Sequence, residues 1–281
     1  MQKLLSMENQ SRYGNYVFDF LGAVALFIGL LFGVGFVGGY SLLAIYLFNA
    51  DFNELSSGML FIFISYLATL IFPILAFDLI VIRSKGQRLN FNMKSSSFST
   101  YLLIFPLMFG MMLISEFITE QIPTEGEFFG DMYQQLSNTL STVAQDNVGI
   151  IVLTSLFAPL LEEILFRGII QKGMINGGMK PSKAIFISAF IFGVFHMNPW
   201  QLAGAFLLGL ILGWVYYKTQ SLLMPILLHA FNNFISSILL INGKTESFGN
   251  LFHLPEYIIL IIGIVIFSVF YFLFGRIKIK N

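Results

Sequence analysis

The chain has no cysteine and few charged residues, and each shortage excludes whole classes of protein. Without cysteine there can be no disulfide, no thiolate metal ligand and no cysteine nucleophile. Charged residues make up 11% of the 281 positions, whereas soluble domains carry about 25%. Lysine plus arginine equals aspartate plus glutamate at 15 each, and no basic tract stands out, so nucleic-acid binding has no support.

Hydrophobic residues are abundant instead: they make up 57% of the chain, and the mean hydropathy is +0.81. About 20 apolar residues cross a bilayer as a helix, and several runs here reach that length. We therefore predict an all-α fold, a polytopic transmembrane helical bundle of about eight spans. The predicted spans are 17–48, 58–82, 99–122, 148–171, 183–197, 201–217, 221–241 and 255–275.

The chain shows no internal repeat and no low-complexity segment, which favours a single integral unit. Within it, residues 1–98 are predicted to form N-terminal membrane spans that lie outside a motif-bearing core. Residues 99–281 are predicted to form that core together with a final span. Residues 1–16 are polar, and the apolar run after them is too long for a signal peptide, so we predict a retained span.

Basic and acidic residues alternate between the predicted loops. One side holds Lys3, Arg12, Arg83, Lys85, Arg88, Lys94, Lys172, Lys180, Lys183, Lys218, Arg276, Lys278 and Lys280. The other holds Asp51, Glu54, Glu120, Glu125, Glu127, Asp131, Asp146, Glu246 and, as its only basic residue, Lys244. Because loops rich in lysine and arginine stay in the cytoplasm, both termini are predicted to be cytoplasmic.

The long polar connection 127–146 allows two interpretations. Apolar residues recur there at spacings of four and three, at Phe128, Met132, Leu136, Leu140 and Val143. That spacing is typical of an amphipathic helix on the outer membrane interface. A surface loop is the alternative.

The fourth predicted span carries three charges, Glu162, Glu163 and Arg167. A charge in a bilayer costs roughly 2.5–3.5 kcal/mol, so a functional site is the default interpretation. Glu163 and Arg167 are four residues apart and are predicted to form a supporting ion pair. Glu162 points about 100° away from Glu163 and is predicted to be a general base, with a carboxylate that bonds to a neighbouring helix as the alternative. Pro159 has no N–H and would leave the Ser155 carbonyl without its usual partner.

Two later spans each contribute a histidine. Helical rise places Glu162, His229 and His196 roughly 15, 16 and 20 Å from the cytoplasmic boundary, close to mid-membrane. Asn233 lies one turn after His229 and can bind a developing oxyanion. Asn232 points elsewhere and is predicted to be incidental. His253 falls in an outer loop and has no predicted role.

Such a set can activate water in two ways, and the residues do not choose between them. In the first, Glu162, His196 and His229 bind a divalent metal such as zinc, which lowers the pKa of a bound water. In the second, Glu162 and His196 polarise water directly, while His229 and Asn233 stabilise the tetrahedral oxyanion without any metal.

The three motifs, taken in order, resemble those of a known family. Glu162-Glu163-x-x-x-Arg167, Phe192-x-x-x-His196 and His229-x-x-x-Asn233 are similar to the motifs of the CPBP intramembrane proteases, also called the Abi or CAAX-protease family. The resemblance covers roughly residues 100–241. It implies peptide-bond hydrolysis in the membrane, with Glu162, His196, His229 and Asn233 catalytic and Glu163 and Arg167 supporting.

The family also suggests partners and a location. The expected partners are the lipid bilayer and a membrane-associated peptide or protein substrate, and the expected location is a bacterial plasma membrane. Some relatives are linked to bacteriocin self-immunity, so a non-catalytic scaffold or immunity-type protein that retains the fold is an alternative. A proton relay or transporter is a third interpretation, although such proteins often show repeats that this chain lacks.

Overall fold

The computed structural model describes residues 16–49, 51–243 and 247–277, and over these ranges the chain is helical with no strand. Its α-helices are α1 (Phe20–Phe48), α2 (Phe52–Ser57), α3 (Met59–Phe77), α4 (Phe98–Glu120), α5 (Gly130–Val143), α6 (Asn147–Val152), α7 (Ala158–Glu163), α8 (Lys172–Asn176), α9 (Pro181–Phe195), α10 (Pro199–Thr219), α11 (Leu223–Gly243), α12 (Phe248–Phe252) and α13 (Glu256–Arg276). Segments of π-helix cover Asp78–Ile82, Leu153–Phe157 and Ile164–Gln171, and a short 3₁₀ turn covers Arg83–Lys85.

The predicted fold class, an all-helical transmembrane bundle, is confirmed. In the described ranges, seven helical stretches are long and apolar enough to cross a membrane. The fifth predicted span forms α9, which has only 15 residues. A helix of that length rises about 22 Å, less than the roughly 30 Å of bilayer hydrocarbon. The protein is therefore a multi-pass integral membrane protein, and α9 is a shorter apolar helix beside its candidate spans.

The orientation of the bundle stays a prediction. Several charges that entered the comparison of loops lie outside the described residues: Lys3, Arg12, Lys244, Glu246, Lys278 and Lys280. The domain organisation, with a protease core over residues 99–281, also stays a prediction.

The connection between α4 and α6 contains a helix, as one of its two interpretations predicted. Helix α5 spans Gly130–Val143, and Met132, Leu136 and Leu140 are half-buried along one face. Tyr133 on this helix makes an edge contact with the Trp200 ring, with centroids 5.0 Å apart. The apolar face of α5 thus packs against protein, while its polar residues lie on the opposite, exposed face, as in an amphipathic helix.

The chain divides into two compact units, one of which comprises residues 1–92 and 160–180. Helices α1 and α3 approach closely in this unit: a Cβ on Gly29 would lie 2.4 Å from the Pro73 Cα. Only glycine permits that approach, and small residues are how membrane helices pack backbone to backbone. The buried Tyr16 donates a hydrogen bond to the Gly168 carbonyl, which ties the segment before α1 to the π segment Ile164–Gln171.

The second unit comprises residues 93–159 and 181–281. Its buried core is built from α4, α10, α11 and α13 and includes Ile104, Leu107, Met108, Leu212, Val215, Met224, Leu228 and Phe274. Helices α9 and α10 form a tight hairpin: a Cβ on Gly193 would lie 2.7 Å from the Leu202 carbonyl oxygen. This hairpin fixes the turn that carries His196.

Candidate functional site

The first motif lies on an unusual helix. The chain stays helical from Asn147 to Asn176, but π segments precede and follow the α-helical turn that carries Glu162 and Glu163. A π segment shifts backbone hydrogen bonds from the fourth to the fifth residue, and such segments are rare and frequent at functional sites. Nothing in the amino-acid pattern predicted them.

The predicted ion pair of the first motif is present. Arg167 Nη1 lies 2.7 Å from Glu163 Oε1, and both side chains are completely buried. A buried charge is costly unless it is paired, and removal of one member leaves the other uncompensated. The pair therefore makes these two charges tolerable inside the unit, and a supporting role in catalysis stays a prediction.

Glu162 bonds to a neighbouring helix, as the alternative predicted, through a partner residue that the sequence did not identify. Its carboxylate is 4% exposed, and Oε1 accepts a hydrogen bond from the Tyr66 hydroxyl of α3. Both residues belong to the first unit. The available signal was a cluster of hydroxyl side chains, Ser65, Tyr66 and Thr69, in an otherwise apolar span. A buried tyrosine hydroxyl usually finds a partner, but sequence does not say which.

His196 lies just beyond the end of α9, in the turn that leads into α10. Its Nδ1 lies 2.9 Å from the Phe192 carbonyl oxygen, one helical turn earlier. A carbonyl oxygen can only accept, so Nδ1 carries the proton of this hydrogen bond. In the neutral imidazole Nε2 then keeps its lone pair, which is the state required of a base or a metal ligand.

The turn itself is held by Asn198. Its side-chain oxygen caps α10 by accepting from the Gln201 N–H at 2.9 Å, and its Nδ2 donates to the His196 carbonyl at 2.9 Å. Met197 between them adopts a left-handed conformation with φ of 57°. A cap and a bond to the preceding carbonyl together fix the path of the backbone at His196.

His196 and His229 both contact the ring of Phe192. The Phe192 phenyl meets the His196 imidazole edge-on with centroids 5.1 Å apart, and the His229 imidazole edge-on at 5.5 Å. His229 is 5% exposed on α11. Phe192 thus supports both motif histidines of the second unit, which explains its place at the start of the second motif.

Asn233 is held by the π segment of the same unit. The Ala158 N–H bonds the Leu153 carbonyl, five residues back. The Thr154 carbonyl would in that register need the N–H of residue 159, but Pro159 has none. Asn233 Nδ2 donates to this carbonyl at 2.8 Å instead. The register shift thus brings the Thr154 carbonyl into play, and the expected effect of Pro159 on the Ser155 carbonyl stays a prediction.

Asn232 contacts the motif residue Asn233, which sequence analysis did not predict. Asn232 Nδ2 donates to Asn233 Oδ1 at 2.9 Å. Together with the bond to Thr154, this contact fixes which end of the Asn233 amide is nitrogen and which is oxygen. One Nδ2 hydrogen is engaged by Thr154, and the second remains the candidate donor to an oxyanion.

The six predicted site residues fall into both units. Glu162, Glu163 and Arg167 belong to the first, and His196, His229 and Asn233 belong to the second. Over the described ranges, no group of three or more His, Asp or Glu side chains is arranged so that it could hold a metal ion. Zinc binding therefore stays a prediction.

Comparison with known proteins gives a family match over the motif region and a match to a curated relative. Residues 144–235 match the family described as type II CAAX prenyl endopeptidase Rce1-like. The UPF0177 protein YaiF of Lactococcus lactis subsp. lactis (strain IL1403) is 29% identical over 148 residues, which cover 50% of this chain and 64% of that protein. The chain thus matches less than two thirds of that relative's length. No solved structure matches the chain significantly.

Proposed function

We propose that this chain, which belongs to the CPBP (Abi/CAAX-protease type) family of membrane proteins, is an intramembrane endopeptidase. Its substrate would be a membrane-associated or lipophilic peptide, hydrolysed at a peptide bond. The family model covers all three motifs, from Glu162 to Asn233. A location in the bacterial plasma membrane, with cytoplasmic termini, is part of the same proposal.

The single observation that best supports hydrolysis is the state of His196. Its Nδ1 is committed to the Phe192 carbonyl at 2.9 Å, so Nε2 is the basic nitrogen of the ring. A general base must combine a fixed orientation with an available lone pair, and this arrangement provides both.

In the proposed reaction, a water oxygen attacks the carbonyl carbon of the substrate while the Glu162 carboxylate, together with His196, accepts a water proton. His229 and the second Nδ2 hydrogen of Asn233 stabilise the oxyanion that forms. The proton then passes to the departing nitrogen as the carbon–nitrogen bond breaks, which yields a carboxylic acid and an amine. A bound metal, if present, would supply a more acidic water.

The test is cleavage of membrane-anchored peptides, with and without C-terminal prenylation, by the purified full chain in liposomes. Wild type should cleave at least one peptide, whereas Glu162→Gln should not. Glu54→Gln changes an exposed glutamate outside the motifs and serves as the matched control. Normal cleavage by Glu162→Gln would overturn the proposal and favour a non-catalytic role. Metal analysis and chelator treatment of the same preparation decide between zinc and a metal-free mechanism.

A further inference from the structure

Tyr66 lies on α3, in a part of the chain that the family match over residues 144–235 does not reach. Its hydroxyl nevertheless contacts the carboxylate of the first motif, since it donates to Glu162 Oε1. Helix α3 and the π segment Ile164–Gln171 contact each other in the same unit. Helix α3 therefore packs against the motif-bearing helix, and the Tyr66 hydroxyl adds a hydrogen bond to the motif carboxylate.

The position of Tyr66 is itself fixed from several directions. Thr69 Oγ1 donates to the Tyr66 carbonyl at 2.8 Å, which ties the backbone turn that carries the tyrosine. Pro73 lies farther along the same helix, where α1 approaches so closely that Gly29 could not carry a Cβ. A phenol on a helix held in this way can serve as a stationary donor rather than a mobile one.

The chemistry at Glu162 calls for such a donor. At 4% exposure the carboxylate has little access to bulk water, so its charge must be stabilised by protein groups. An O–H donor to a carboxylate forms one of the strong classes of hydrogen bond. The same bond selects one rotamer of the side chain, and a displacement of about 1 Å in a reacting group can cost 100-fold in rate.

We infer that Tyr66 is a positioning residue for Glu162, so that the N-terminal spans form part of the hydrolytic apparatus and not only its membrane anchor. This inference rests on the proposed function, in which Glu162 is the base. Tyr66 transfers no proton in the reaction: it keeps its hydrogen and holds Oε1, while Glu162 acts on water.

The decisive variant is Tyr66→Phe, which removes one oxygen and keeps the ring. The expected result is a fall in kcat of roughly 10- to 100-fold, the range for a lost hydrogen bond to a charged group, with KM unchanged. Tyr40→Phe is the matched control, because Tyr40 stacks on Phe61 in the same unit and its hydroxyl makes no hydrogen bond with any described residue. Its kcat should equal that of wild type.

A spectroscopic measurement separates this inference from the proposed function. The infrared carboxylate band that disappears in Glu162→Gln belongs to Glu162, and Tyr66→Phe should shift that band while Tyr40→Phe leaves it in place. If Tyr66→Phe folds poorly, a fluorinated tyrosine at position 66 keeps the shape, and the band should then shift with hydroxyl acidity.

The possible failures differ. An unshifted band, or wild-type kcat in Tyr66→Phe alongside an inactive Glu162→Gln, overturns the inference and leaves the peptidase assignment standing. If wild type cleaves nothing, the proposed function fails, and the Tyr66–Glu162 hydrogen bond then has no catalytic role. A band shift would then show only that Tyr66 holds the Glu162 side chain.

Discussion

The side-chain amide of Asn233 donates a hydrogen bond of 2.8 Å to the backbone carbonyl of Thr154. This carbonyl is available because two local features coincide, a π register in which Ala158 bonds Leu153 and a proline at position 159. A motif residue on α11 is thus oriented by a backbone defect in another helix. Functional side chains held by such bonds are pre-organised before any substrate arrives.

Restoring the missing donor should disturb this arrangement. Pro159→Ala supplies an N–H that can bond the Thr154 carbonyl within its own helix and so compete with Asn233. We expect kcat to fall roughly three- to tenfold, the scale of one neutral hydrogen bond, with little change in melting temperature. Pro225→Ala is the control, since Pro225 lies in the first turn of α11, where no backbone donor is required. Equal kcat values for Pro159→Ala and wild type would contradict the proposed orientation of Asn233.

Asn232 should affect kcat by orienting the side-chain amide of Asn233. Asn232→Ala removes the donor to Asn233 Oδ1 and frees the amide to rotate, so kcat should fall roughly three- to tenfold while KM stays constant. The effect should be smaller than that of Asn233→Ala, which removes the amide itself. Asn242→Ala, on the exposed end of the same helix, should be indistinguishable from wild type in the same steady-state assay.

The functions of the two ring nitrogens of His196 can be tested separately with a substitution that replaces only one of the nitrogens. In His196→Asn the side-chain Nδ2 can still donate to the Phe192 carbonyl, but no group replaces Nε2. The variant should melt at nearly the wild-type temperature and lose roughly 100- to 10,000-fold in kcat/KM, the usual range for general acid–base catalysis. His253→Asn, at the left-handed residue after α12, is the control and should retain full activity. An active His196→Asn protein would show that Nε2 has no part in the reaction.

The buried ion pair predicts a non-additive pattern of stability. Arg167→Met leaves the completely buried Glu163 without its main counter-charge and should lower the free energy of unfolding by about 3–5 kcal/mol. The double variant Glu163→Leu/Arg167→Met removes both charges and should recover much of that loss. Reversible unfolding in mixed micelles measures wild type, Arg167→Met, Glu163→Leu and the double variant. Additive losses in the double variant would mean that the pair is not coupled.

Local patterns were sufficient for some features of this protein. The helix bounds followed from apolar runs, and the Glu163–Arg167 pair followed from a spacing of one helical turn. The helix that carries Glu162 was predicted, but its π segment Leu153–Phe157 was not. The π register leaves the Thr154 carbonyl free of a backbone partner, and this register depends on the hydrogen bonds along the whole helix. The contact between Asn232 and Asn233 was not predicted, because the direction of Asn232 was inferred from helix geometry alone, without the position of its side chain.

The amino-acid sequence by itself determined the membrane class, the order of the three motifs and the contacts between residues one turn apart. These depend on hydrophobicity and on the fixed geometry of a helix, both of which are properties of neighbouring residues. Only the tertiary structure decided that Tyr66 meets Glu162, 96 residues away, and that His229 contacts Phe192. Those partners are chosen by how helices pack, and packing depends on every side chain at an interface at once.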